Sequence, residues 1–260
     1  MNNTFDTRRF GKYFMFDLKN AKSNYGLTFL IVICMPIIIY ILSIIFSMLF
    51  NGHWTSPSLP MRVCFSCIAC AIICMSFPAQ AYGKITDKRA GSEWLMIPAS
   101  KLEKYLSMIL ITGIIVPICF VLGYGIVDYI LSIIDPTYVG SLFGIDVNKW
   151  CAENDVPISF AGRGYWLMFF SISPYMLTFL LGALCFRTKK VSKTIVALII
   201  ISIGLMIASV SCHFSIDSDF VGRHAKDLNF TINAMMDIPL IIEYLVLLVG
   251  IWFRISTIKH

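Results

Sequence analysis

The chain has 260 residues, 58% hydrophobic and 14% charged, with 21 Lys and Arg against 15 Asp and Glu for a net charge of +6. Soluble domains carry about a quarter charged residues, so this composition excludes an ordinary soluble protein and points to an all-α, polytopic membrane protein. The segments between the apolar runs are too short and scattered to form a separate soluble domain with its own core.

The first 26 residues hold too many charges, ahead of too long an apolar run, to read as a secretory signal. Wound as a helix, they place Phe10, Phe14, Leu18 and Ala21 on one side and Arg8, Lys12 and Lys19 on the other. That pattern suits an amphipathic helix lying in the membrane interface. Asp17 falls near the apolar arc and weakens it, which leaves a simple polar leader as the alternative.

Six apolar runs of spanning length follow, at 27–50, 63–82, 105–134, 165–186, 194–212 and 238–253, a span needing about 20 residues. They make residues 1–260 a single transmembrane domain. The last run would rise only about 24 Å as a helix, short of a hydrocarbon core of about 30 Å. Phe230 to Met236 are therefore expected to supply wall or to enter the membrane. Two longer connections, 135–164 and 213–237, mix polar and aromatic residues and are expected to be partly folded. The halves show no internal repeat.

Basic residues choose the orientation. With the amino terminus inside, 16 of the 21 fall in cytoplasmic segments and five outside, namely Arg62, Lys149, Arg163, Arg223 and Lys226. The positive-inside rule selects this topology, with both termini cytoplasmic in what reads as a bacterial cytoplasmic membrane. The positive charge is thus an orientation signal that also attracts anionic headgroups; nucleic acid is not an expected partner.

The connection 84–104 between the second and third runs is the most informative segment. Ser92 can cap a short helix beginning at Glu93, and Ile97 must leave helical geometry because Pro98 follows it. Ser100 and Glu103 then form a Ser-x-x-Glu capping box that starts the next helix. Trp94, Leu95, Met96 and Ile97 are left as an apolar knob on a capped stalk, a patch that requires a partner.

Candidate chemistry is sparse. Cys64, Cys67, Cys70 and Cys74 match an iron–sulfur spacing. A membrane span must be helical, however, and would spread the outer two about 15 Å apart, so a packing stripe of small residues is the better reading. His53, His213 and His224 lack paired ligand spacing, and no metal or cofactor site is expected. No G-x-S-x-G, H-E-x-x-H or Ser-His-Asp grouping can be assembled. Asp128 is expected to emerge at the outer interface. Glu243, about 8 Å inside the last run, needs a partner, a cavity or protonation. It is a candidate for lining a pathway, with a structural hydrogen bond or snorkelling as the alternative.

The run Arg89-Ala90-Gly91-Ser92-Glu93-Trp94-Leu95-Met96-Ile97-Pro98-Ala99-Ser100, with the amphipathic leader, six spans and a large outer loop before the sixth, resembles the permease subunit of a type-2 ATP-binding-cassette exporter. The resemblance implies a coupling helix formed by Glu93, Trp94, Leu95, Met96, Ile97 and Pro98, docked on a cytoplasmic ATPase and capped by Ser92, Ser100 and Glu103. It also implies a second copy of the chain or a related permease, and a lipid-like, peptide or drug-like cargo. The chain has no G-x-x-x-x-G-K-[ST] loop, so ATP and magnesium would be held by the partner and this chain would be no enzyme itself. A secondary transporter and an integral membrane enzyme are the alternatives. The former would show paired broken helices and midplane charges, the latter a constellation of catalytic groups at one depth.

Overall fold

Apolar residues at helical spacing wind most of the described residues into helices. The computed structural model describes residues 5–86, 91, 94, 96–135, 137–138, 142, 164–213 and 228–257, excluding the side chains of 51, 164–171, 205–213 and 228–241. Among these, no residue is in a β-strand. The elements are α1 (Thr7–Ile33), α2 (Met35–Asn51), α3 (Leu59–Ala81), a 3-10 turn (Gly83–Thr86), α4 (Lys101–Leu110), a π turn (Ile111–Ile115), α5 (Val116–Ile134), α6 (Gly164–Cys185), α7 (Lys190–His213) and α8 (Leu228–Thr257). Three helical stretches, Thr7–Phe50, Leu59–Ala81 and Lys101–Ile134, are long and apolar enough to cross a membrane.

The leader and the first span, expected to meet at residue 26, lie on one continuous helix there. α1 runs unbroken through that position, and the chain breaks instead at Cys34. Pro36 explains the position: its ring lacks an N–H and crowds the carbonyl four residues earlier, so the helix ends and restarts there. The buried face of α1 also differs from the expected one. Tyr13, Asp17, Ala21 and Tyr25, spaced by four, face inward, with Phe10, Phe14 and Leu18 half-buried beside them. Asp17 tolerates burial because Ser107 Oγ donates to its Oδ2 at 2.6 Å and the Tyr82 hydroxyl at 3.2 Å. The last helix is longer than the apolar run within it. It starts at Leu228 and takes in Phe230 to Met236, and its 30 residues rise about 45 Å.

The core lies where α3, α6, α8 and the α4–α5 stretch meet, filled by Ile73, Phe77, Met108, Ile111, Met176, Leu180, Leu184 and Ile251. Tyr25 closes it from α1, its ring edge-on to Phe77 at 5.1 Å. α6 and α7 approach closely at Gly182, where an added Cβ would lie 2.0 Å from Thr194 Oγ1.

The helices alternate in direction. The start of α1, the end of α3, the start of α4, the end of α6, the start of α7 and the end of α8 share one end of the bundle. Contacts tie them there: Arg9 to Glu103, Thr86 to the Ala183 carbonyl, Lys190 to the Gly83 carbonyl, Arg254 to the Leu184 carbonyl and Lys101 to the Ser256 carbonyl. The opposite end holds the start of α3 and the end of α5, joined by Arg62 and Asp128.

Candidate functional site

The capping box is formed as the sequence reads. Glu103 N–H donates to Ser100 Oγ at 3.2 Å, and Ser100 N–H to Glu103 Oε2 at 2.9 Å. Glu103 does more than cap its own helix. The Arg9 guanidinium grips both its oxygens, with Nε at 3.0 and 2.9 Å and Nη2 at 2.7 Å, and the Asp6 N–H adds a bond of 3.0 Å. Sequence reasoning missed this clamp, since nothing in the spacing pairs residue 9 with residue 103. The Arg9 hydrogen bonds hold the Glu103 carboxyl down to about 2, outweighing the burial that raises it. The apolar part of the helix begins beyond it, at Tyr105. The amino-terminal segment is thereby tied to the start of α4.

Of the proposed docking residues, Ser92, Glu93 and Leu95 lie outside the described residues. Gly91, Trp94 and Met96 are helical, and the chain bends at Ile97 and Pro98, where the proline requires helical geometry to stop. Trp94 is not the exposed anchor that the sequence suggests. It is half-buried against the core. Lys104 Nζ sits 4.5 Å from its ring centroid and donates to its carbonyl at 2.7 Å, and Tyr13 approaches its side chain. An indole beside a cation and an apolar wall is satisfied inward. Among the described residues of the segment, Met96, 77% exposed, is the large apolar side chain that faces out, with Ile97 half-buried and Pro98 exposed.

The segment leads directly into an irregular helix. At Ile111–Ile115 the α4–α5 stretch widens into a π turn, which shifts the hydrogen-bonding register. Ser173 Oγ on α6 donates to the Gly113 carbonyl at 2.6 Å. Thr112 Oγ1 is buried with no hydrogen-bond partner among the described residues. Ser173 precedes Pro174 inside α6, and Tyr244 of α8 approaches it. A π turn facing a proline-bearing helix is where two helices can change register at small cost.

Glu243 stands at the middle of α8 and is exposed. Its neighbours Ile242, Leu245, Val246 and Val249 are also exposed, so it does not point into the interior of this chain. Asp128, at the end of the bundle that also holds Arg62, is enclosed within the protein, being 1% exposed. Arg62 Nη2 donates to its Oδ1 at 2.8 Å and Oδ2 at 2.7 Å, the Tyr138 hydroxyl to Oδ1 at 2.8 Å, and the Leu142 N–H to Oδ2 at 2.8 Å. The guanidinium also lies 3.7 Å from the Tyr138 ring centroid. Nearby, Asp135 accepts from the Thr137 hydroxyl and N–H and from Tyr40. These bonds, the Thr137 hydroxyl first, hold its carboxyl below the usual carboxylate range.

Cys64 to Cys74 lie along one helix, with Cys64 and Cys67 exposed and Cys74 buried. Among the described residues, no group of His, Cys, Asp and Glu is placed to hold a metal ion. No family model, curated protein or solved structure matches the chain.

Proposed function

We propose that this chain is the membrane-spanning permease subunit of an ATP-driven exporter of the type-2 ATP-binding-cassette kind. The observation that carries the reading is the segment 91–104. It is short, bent at Pro98, capped by Ser100 and Glu103, and clamped by Arg9, and it leads into a helix with a π turn. A soluble ATPase pushing on such a segment would move α4 as a rigid lever, and the π turn at 111–115 would convert that push into a shift of α5 against α6. Glu103 and Arg9 would make the amino-terminal helix move with it.

In this reading the six long helices cross the cytoplasmic membrane with the Arg9–Glu103 end inside, and ATP and magnesium are bound by the partner. The exposed Glu243, within an apolar face, fits a second copy or related permease covering that face, because a carboxylate facing lipid alone is costly. An aromatic and aliphatic interior fits a lipid-like, peptide or drug-like cargo.

Two of the four knob residues, Met96 and Trp94, have separable parts. Met96→Asp should leave the protein folded and inserted while weakening recovery of an ATPase with the tagged permease by tenfold or more, taking roughly 1.4 kcal/mol per decade. Trp94→Ala should lower recovery and thermal stability together, since it removes packing under Lys104. Unchanged ATPase recovery with Met96→Asp, or no ATPase recovered with the wild-type chain, would reject the reading.

A further inference from the structure

The turn between α6 and α7 and the start of α7 carry Arg187, Lys189, Lys190 and Lys193 within seven residues, and the sequence has no Asp or Glu from 156 to 216. The two ion pairs among the described residues, Arg9–Glu103 and Arg62–Asp128, lie elsewhere. Lys190 donates to the Gly83 carbonyl, and Lys193 to the neutral Thr188 Oγ1 at 3.1 Å. Arg187 and Lys189 have no side-chain partner among the described residues. Arg187, Lys189 and Lys190 line a shallow, open cavity of about 310 Å³ together with Ala79, Val191 and Ser192.

Where the cavity sits identifies what would fill it. Ala79 belongs to the last turn of α3, an apolar helix of spanning length, so the floor lies at the rim of the apolar band and the basic wall just beyond it. That is the level of lipid headgroups. A phosphodiester would meet the planar donors of Arg187, the ammonium of Lys189 and the Ser192 hydroxyl, and the start of its acyl chains would meet Ala79 and Val191. Guanidinium and ammonium groups at this position are the usual recognition chemistry for anionic phospholipid.

We infer that the cavity between the end of α3 and the α6–α7 turn is a binding site for the headgroup of an anionic phospholipid. The inference rests on the chain spanning a membrane, and it is independent of the exporter reading.

The test uses the full chain purified in detergent, with binding of phosphatidylglycerol, phosphatidylcholine and inorganic phosphate titrated by native mass spectrometry. Phosphatidylglycerol should bind the wild-type chain more tightly than phosphatidylcholine. Each cation near a charged surface is worth roughly fivefold in affinity, so Arg187→Gln with Lys189→Gln should weaken phosphatidylglycerol by about 25-fold. Lys12→Gln with Lys19→Gln removes the same charge from exposed positions of α1 and should keep the wild-type affinity. Ala79→Leu fills the cavity without changing charge and should weaken binding as well, which keeps the test open if the doubly neutralised variant fails to fold. Equal losses in both doubly neutralised variants would replace the site with a diffuse field and overturn the inference. So would equal binding of phosphatidylcholine, or full displacement of the lipid by inorganic phosphate, which would make the ligand a soluble anion.

Discussion

A carboxylate buried in a helical bundle is tolerated when donors surround it, and Asp17, Glu103 and Asp128 are each surrounded. Asp17 draws α3 and α4 onto α1 through Tyr82 and Ser107; Glu103 draws in Arg9; Asp128 fastens Arg62, Tyr138 and Leu142. None of these anchors was legible in the sequence, where partners lie 65 or more residues apart in the first two cases and a buried acid looks like a break in an apolar pattern. The capping box was legible, because both its members fall within one helical turn. The Arg62–Asp128 pair is the most enclosed, with side chains 3% and 1% exposed. Arg62→Met strands the acid, and breaking such a pair costs about 3–5 kcal/mol. It should lower the unfolding temperature in detergent sharply, and adding Asp128→Leu should recover part of the loss. A single variant as stable as wild type would show that the pair is not enclosed as the structure has it.

Elements are where composition and geometry part company. The apolar runs fall within long helical stretches among the described residues, while α1 runs through residue 26 and the last helix begins at Leu228, ahead of its apolar run. An apolar count sees neither the break that Pro36 imposes nor the helix that continues through polar residues before Ile238. The π turn left no trace in composition either. Close contacts between helices are set by small residues, and two glycines make opposite predictions. Gly182→Ala would put its Cβ 2.0 Å from Thr194 Oγ1 and 2.5 Å from its Cγ2, forcing α6 and α7 apart at a cost of about 1–3 kcal/mol. Thr194→Ala in the same chain should restore part of it. Gly11→Ala meets nothing within 4 Å and should be neutral or stabilising by up to about 1 kcal/mol. Thermal unfolding of the variants separates them, and an unaffected Gly182→Ala would contradict the close packing.

Across the whole molecule, alternating helices bring Arg9, Lys101, Lys104, Lys190 and Arg254 to one end and Arg62 to the other. The positive-inside rule makes its division from sequence alone, because it needs only the order of apolar runs and the charges between them. The side of the membrane remains a prediction. In a chain whose nine native cysteines are replaced, Ser58→Cys should react with an impermeant thiol reagent on intact cells and Ser192→Cys should not; the reverse pattern would invert the orientation.

The central claim is that the segment around Met96 docks an ATPase, and the most direct measurement places a photo-crosslinking amino acid at position 96 of the chain in its own cells. Irradiation is predicted to join it to a cytoplasmic protein carrying a G-x-x-x-x-G-K-[ST] loop, with no such adduct from the same amino acid at position 58. Adducts at position 96 that contain only lipid, or only proteins without a nucleotide-binding loop, from a chain shown to be inserted and folded, would contradict the account.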